Sequence, residues 1–180
     1  ITGSVRAGLQ VAASAAANLT KAHLELGGKA PVVVFADANL DKAVDTILTA
    51  GFFNAGQDCT AATRLLVEQS VYDTFLQKLL EKGKAIRFGL PDDKSALYGA
   101  LNSKNQLEQV KGFIERLPSH ARIEMGGHAG PGPGFYFEPT LISGLHQQDE
   151  AIQHEVFGPV MTIQSFNSEE EALHKANDVE

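Results

Sequence analysis

Apolar positions recur at helical spacing through Leu40, Val44, Ile47, Leu48 and Gly51, so a helix is predicted after the Asp37-Ala38-Asn39 turn. The same period returns at Val71, Phe75, Leu79 and Leu80, predicting an amphipathic helix over 71–86 with its Lys and Glu outward. Another is predicted over 105–117 from Leu107, Val110, Phe113, Ile114 and Leu117. Residues 10–18 form an alanine-rich helix of high intrinsic propensity, entered through a turn bracketed by Gly3 and Gly8 with Ser4 placed to cap it. Ser168 is placed to cap a last helix over 168–179, with three glutamates in its first turn. Between the helices lie short apolar runs. Residues 31–36 read as a strand suited to burial on both faces of a parallel sheet. Residues 65–67, 121–125 and 161–166 read as further strands, and 135–141 alternates as an edge strand would. Residues 126–134, rich in Gly and Pro, read as a flexible surface loop with His128 solvated. Helices alternating with strands predict an α/β fold with a mainly parallel sheet flanked by helices.

Composition narrows the function classes. A length of 180 residues supports one sizeable core, or one domain plus part of another. The net charge of −7 argues against nucleic acid and anionic membrane surfaces, which call for basic patches. No apolar run approaches the roughly 18–20 residues of a membrane span. One cysteine excludes an internal disulfide and fits a reducing, cytoplasmic setting. The six histidines show no metal-ligand spacing, so no metal site is expected. The chain starts on Ile1 rather than Met and its last helix shows no C-cap signal, which predicts a piece of a longer polypeptide.

Four stretches carry candidate chemistry, each with a plainer alternative. Cys59, the single cysteine, follows Phe53-Asn54-Ala55-Gly56-Gln57-Asp58 and is either a small buried hydrophobe or a nucleophile. The turn at Gly3, Ser4 and Gly8 either caps a helix or presents backbone N–H groups to a phosphate. Glu25 sits between two leucines ahead of Gly27-Gly28, in an apolar setting expected to raise its pKa; it is a salt-bridged structural group or a general base. In Glu155-Val156-Phe157-Gly158-Pro159 a rigid turn either aims an acid and an aromatic ring into one cleft or simply precedes a strand.

Taken together and in this order, these stretches resemble the aldehyde dehydrogenase superfamily, and in Gly-Gln-Asp-Cys-Thr-Ala they look most similar to aminobutyraldehyde dehydrogenases. The likeness extends over the whole chain. It implies that residues 1–24 end a Rossmann-like dinucleotide-binding domain and that 25–180 form the nucleophile-bearing catalytic domain, truncated at its C-terminus. Cys59 would attack an aldehyde to give a thiohemiacetal, and its N–H would supply half an oxyanion hole. The thiolate it needs would draw on a helix start at its own position, on Glu25 or on the cofactor. Glu25 would be the general base for the deacylating water. For the cofactor, NAD or NADP, the resemblance places Gly3, Ser4 and Gly8 at the pyrophosphate turn and Leu26 and Gly27 along the nicotinamide pocket. Glu155 would hold the nicotinamide ribose and Phe157 would pack by the ring. Asp58 would edge the substrate pocket, where an acid could favour an amino-aldehyde such as 4-aminobutanal. The expected partners are a small-molecule aldehyde and further copies of the chain, as dimer or tetramer. Ile1 stands where the family often has Phe, and the family's oxyanion asparagine would lie upstream of it.

Two other classes compete. A non-catalytic relative kept for its fold has no use for both Glu25 and Cys59. A thiol hydrolase with a Cys–His pair lacks a recognisable signature around any histidine. Within the family, Glu25 favours hydrolysis of the thioester over its transfer to coenzyme A.

Overall fold

The computed structural model describes residues 1–179. Five strands, β1 (Pro31–Val34), β2 (Arg64–Glu68), β3 (Arg122–Met125), β4 (Thr140–Ser143) and β5 (Val160–Phe166), form one sheet in the order β1-β2-β5-β4-β3. All neighbours are parallel except β3, which runs antiparallel to β4. Successive side chains of a strand point to opposite faces, and β2 shows the result. Leu65 and Val67 enter the main core, whereas Leu66 joins Phe166 and Ala172 beneath the other face.

The helices supply the covering layers. On the main-core side lie α2 (Leu40–Phe52) and α3 (Tyr72–Gly83), and α2 buries Val44, Ile47, Leu48 and Gly51 of the stripe its period predicts, with Phe52 beside them. Full burial of a side chain such as Phe52 contributes about 1.5–3 kcal/mol. α4 (Lys104–Glu115) adds Val110 and Phe113 to the same core. The opposite face takes α6 (Glu169–Asn177), which follows the one-turn helix α5 (Glu150–Gln153) and β5. Caps set the helix starts. Ser168 Oγ accepts from the Glu171 N–H, Asn39 Oδ1 from the Lys42 N–H and Ser103 Oγ from the Gln106 N–H, at about 1 kcal/mol each.

Two strand expectations are corrected. β1 is an edge strand whose Pro31 and Val33 are exposed, because only β2 pairs with it and Pro31 lacks an N–H for a second neighbour. The alternating stretch 135–141 is not an edge strand either. The regular strand there is β4, buried at all four residues, because β3 closes the sheet outside it. The buried Arg64 locks the first residue of β2 to its surroundings. Its guanidinium donates to the carbonyl of Lys29 and to those of Lys175 and Ala176, at the end of α6 where the helix dipole favours a cation.

Helix α1 (Val5–Ala17) begins at the predicted cap, Ser4, and stands largely exposed. It is tied to the rest by the short parallel pairing of Thr2 with Glu25: the Gly3 N–H donates to the Glu25 carbonyl and the Glu25 N–H to that of Ile1. Among the described residues no helix is long and apolar enough to cross a membrane.

Candidate active site

The nucleophile candidate is placed by a strained turn. After α2 a 3-10 turn over Phe53–Gly56 carries Asn54, Ala55 and Gly56 at φ of 52°, 57° and 66°. Left-handed backbone costs a non-glycine residue about 1–2 kcal/mol, so the turn needs support. It finds it locally: Asn54 Nδ2 donates to the Gln57 carbonyl, and Gln57 Nε2 donates back to the Asn54 carbonyl. Gln57 Oε1 also accepts from the Asn102 N–H at 2.9 Å. Gly56 itself has no room for a side chain, since a Cβ would collide with the Gly158 carbonyl.

Cys59 follows in a turn that leads straight into β2, and its thiol is exposed. No helix begins at Cys59, which corrects the expectation that a helix start would help to ionise it. The neighbouring Asp58 is committed locally. Its Oδ1 accepts from the backbone N–H and the hydroxyl of Thr60, each at 2.8 Å, and these bonds hold its carboxyl below the usual range.

Glu25 is not in an apolar setting. Flanking leucines suggested one, but the extended backbone turns alternate side chains to opposite sides, and the Glu25 carboxylate emerges 66% exposed. There Oε1 lies 2.6 Å from His23 Nε2.

Glu155 is the partly buried acid of the site. The Gly28 N–H reaches its Oε1 at 3.4 Å, and a Cβ on Gly27 would run into its carboxylate. Burial raises its pKa, opposed by the Gly28 bond and by the charge of Lys29. Lys29 is only 5% exposed, and its Nζ has no hydrogen-bond partner among the described residues. Burial, then the proximity of Arg64, lowers its pKa to about 8. Phe157, two residues after Glu155, takes a left-handed φ of 53°.

These pieces meet in one cavity of about 490 Å³. Glu25, Asp58 and Cys59 line it together with Gly3, Ser4, Leu26, Gly27, Glu155 and Phe157. Gly8 is the exception among the anticipated residues: it is buried against Leu26 and does not line the cavity. Ser4 Oγ, at the rim, accepts from the Ala7 N–H as the helix cap. Sequence reasoning missed Gln106 and Gln109, which reach the cavity from α4. The available signal was Gln106 itself, a polar residue one helical turn before the buried Val110. On the other side of Asp58 a more open depression takes in Asp45, Thr49, Phe53 and Thr60.

Histidine spacing also missed a spatial cluster. His120 Nε2 lies 2.8 Å from Asp149 Oδ2 and its ring stacks on His146 at 4.0 Å. One ligand atom from each of His120, His146 and Asp149 lies within 4.8 Å of the others, a grouping that histidine spacing did not foresee, and none of the three residues lines the cavity.

An exposed thiol and an exposed, histidine-paired carboxylate in one cavity are groups that can form and then hydrolyse an acyl–sulfur bond. The partly buried Glu155, beside side-chain-free Gly27, can accept hydrogen bonds from a hydroxylated ligand lying flat against the backbone.

The chain is similar to known proteins. The profile of the Aldehyde dehydrogenase family matches residues 1–180. The betaine aldehyde dehydrogenase of Bacillus subtilis is 41% identical over 182 residues, covering 98% of this chain and 37% of that protein. A (Z)-2-((N-methylformamido)methylene)-5-hydroxybutyrolactone dehydrogenase of Acinetobacter baylyi is 39% identical over 178 residues, 98% of this chain and 36% of its own length. A crystal structure of Staphylococcus aureus betaine aldehyde dehydrogenase in complex with NAD+ superposes with a TM-score of 0.96 at 36% identity, over 99% of this chain and 36% of that one. Lactaldehyde dehydrogenase of Escherichia coli gives a TM-score of 0.95 at 40% identity, over 99% and 38%. The chain thus spans little more than a third of the length of these relatives.

Proposed function

The chain belongs to the aldehyde dehydrogenase family, and from that premise we propose that it is the nucleophile-bearing core of an NAD-dependent enzyme that oxidises an aldehyde to the acid. The observation that carries this reading is the meeting of Cys59 and Glu25 in one cavity with Gly27, Glu155 and Phe157. In this reading 1–24 end the dinucleotide-binding domain and 25–180 belong to the catalytic domain. The full-length polypeptide is a cytoplasmic homo-oligomer, dimeric or tetrameric.

The cavity's residues fit the nicotinamide end of NAD or NADP. The half-buried carboxylate of Glu155 is an acceptor for ribose hydroxyls, Gly27 and Leu26 offer a flat backbone wall, and Phe157 supplies a ring face. When bound there, the dinucleotide would supply the hydride acceptor. The rest of the chemistry belongs to this chain. The Cys59 thiolate adds to the carbonyl carbon, forming a C–S bond and a thiohemiacetal, and loss of hydride leaves a thioester on the same sulfur. The Cys59 N–H donates to the developing oxyanion. Glu25 then removes a proton from water, the oxygen attacks the acyl carbon, and the C–S bond breaks to release the acid and restore the thiolate. His23, within hydrogen-bond reach of Glu25, passes the proton to solvent.

The substrate reading is an amino-aldehyde or related cationic aldehyde. Asp58 lines both the cavity and the open depression that also holds Asp45, so a cationic group approaching from that side meets negative charge. The test is NADH formation by the full-length protein with 4-aminobutanal, betaine aldehyde and lactaldehyde. Turnover is expected with the cationic aldehydes, and Cys59→Ala should remove it while NAD still binds. Comparable rates for Cys59→Ala would end the reading.

A further inference from the structure

The loop that carries Glu155 and Phe157 is held in place from α4. Gln106 Nε2 donates to the Val156 carbonyl at 3.1 Å and to the Phe157 carbonyl at 2.8 Å. Both amide hydrogens are thereby used on backbone, at the point where Phe157 takes a left-handed φ of 53° that a side chain this bulky rarely adopts. The next residue, Gly158, packs its carbonyl against Gly56 of the nucleophile turn. Just ahead of α4, the Asn102 N–H binds Gln57 Oε1, two residues before Cys59. One short stretch, 102–106, therefore bonds both to the turn that presents Cys59 and to the loop that presents Glu155.

We propose that Gln106 is a positioning residue, whose paired bonds hold the strained 156–157 backbone and so fix the carboxylate of Glu155 and the ring of Phe157 relative to Cys59. It acts through the backbone rather than by contact with the reacting atoms. A partly buried Gln with both hydrogens on the carbonyls of Val156 and the left-handed Phe157 holds a conformation that the chain does not prefer by itself. Without them the loop gains alternative conformations, and the ligand must reorder it on binding.

The proposal rests on reading the cavity as a dinucleotide site, so the experiment has two arms. In the full-length protein, Gln106→Leu removes both donors, whereas Gln106→Lys keeps donors on a side chain of similar reach. The first arm measures NAD affinity by calorimetry, with thermal midpoints recorded alongside. The Leu variant should bind NAD about tenfold more weakly, as expected for two lost hydrogen bonds, and the Lys variant should recover most of that loss. The second arm measures iodoacetamide alkylation of Cys59 without cofactor, and the Leu variant should differ from wild type by about threefold as the packed turn loosens. Wild-type NAD affinity in the Leu variant would overturn the proposal. So would a loss that Lys does not relieve and that follows the thermal midpoint, since that marks a merely structural role. If wild type itself binds no NAD, the dinucleotide reading fails. The positioning claim then stands or falls on the alkylation rates, and unchanged rates overturn it.

Discussion

The two walls of the cavity are built differently. On one wall, Asn54–Gly56, Glu155–Gly158 and α4 interlock through Gln57, Asn102 and Gln106, with the carbonyl of Gly158 packed on Gly56. The other wall, α1 and the strand-like pairing of Thr2 with Glu25, is held by a few backbone bonds and by Leu26 over Gly8. Val5 and Leu9 on α1 are 54% and 67% exposed. The rigid wall carries the nucleophile turn, with three successive residues at positive φ, and such strain persists only where the surroundings over-determine it. The looser wall carries Glu25, a carboxylate that in the proposed reaction reaches a water molecule and then gives up its proton to solvent. Covalent attack demands a fixed sulfur, while proton transfer tolerates a side chain that moves.

Several substitutions would break or sharpen this contrast. Gly56→Ala combines a left-handed φ with a collision against the Gly158 carbonyl, so it should destabilise the protein by about 2–4 kcal/mol in urea unfolding. A change below about 0.5 kcal/mol would show that the rigid wall yields easily. Lys29→Met tests the buried amine behind Glu155. Lys29 has a folded pKa of about 8 against an ordinary 10.5, so between those values the unfolded chain holds more protons and stability rises with pH. Near neutral pH the charged form carries the full burial penalty, and the Met variant should be about 1–3 kcal/mol more stable there. Its stability should also lose the rise between these two pH values. A Met variant with the wild-type pH slope would remove Lys29 as the source. The smallest effect is expected on the loose wall, where Leu9→Ser should change stability by less than about 0.5 kcal/mol. A loss above about 1 kcal/mol would mean that α1 is packed more firmly than its exposure indicates.

Much of this architecture was legible in the residues. Helical periods and capping side chains marked α2 and α6 because caps and apolar stripes are local properties. The four motif stretches marked the cavity, and all of their anticipated residues except Gly8 line it. What escaped was long-range. The edge position of β1 depends on which strand pairs with it, and within residues 31–36 only Pro31, with no N–H for a second neighbour, points to it. The exposure of Glu25 depends on how its extended segment faces the cavity, so two flanking leucines misled. Gln106 looked like one more helix surface residue because its partners, Val156 and Phe157, lie far along the chain. Positive φ at Ala55 and Phe157 leaves no compositional trace, since neither is a residue that favours it.

The central claim is that Cys59 forms the acyl bond and Glu25 frees it. Its most direct test is the intact mass of full-length Glu25→Gln after mixing with NAD and 4-aminobutanal. The expected result is an acyl adduct that maps to Cys59 by peptide analysis, with a fast NADH burst followed by turnover slowed about a hundredfold. Wild-type turnover without any adduct, or an adduct on another residue, would contradict the account.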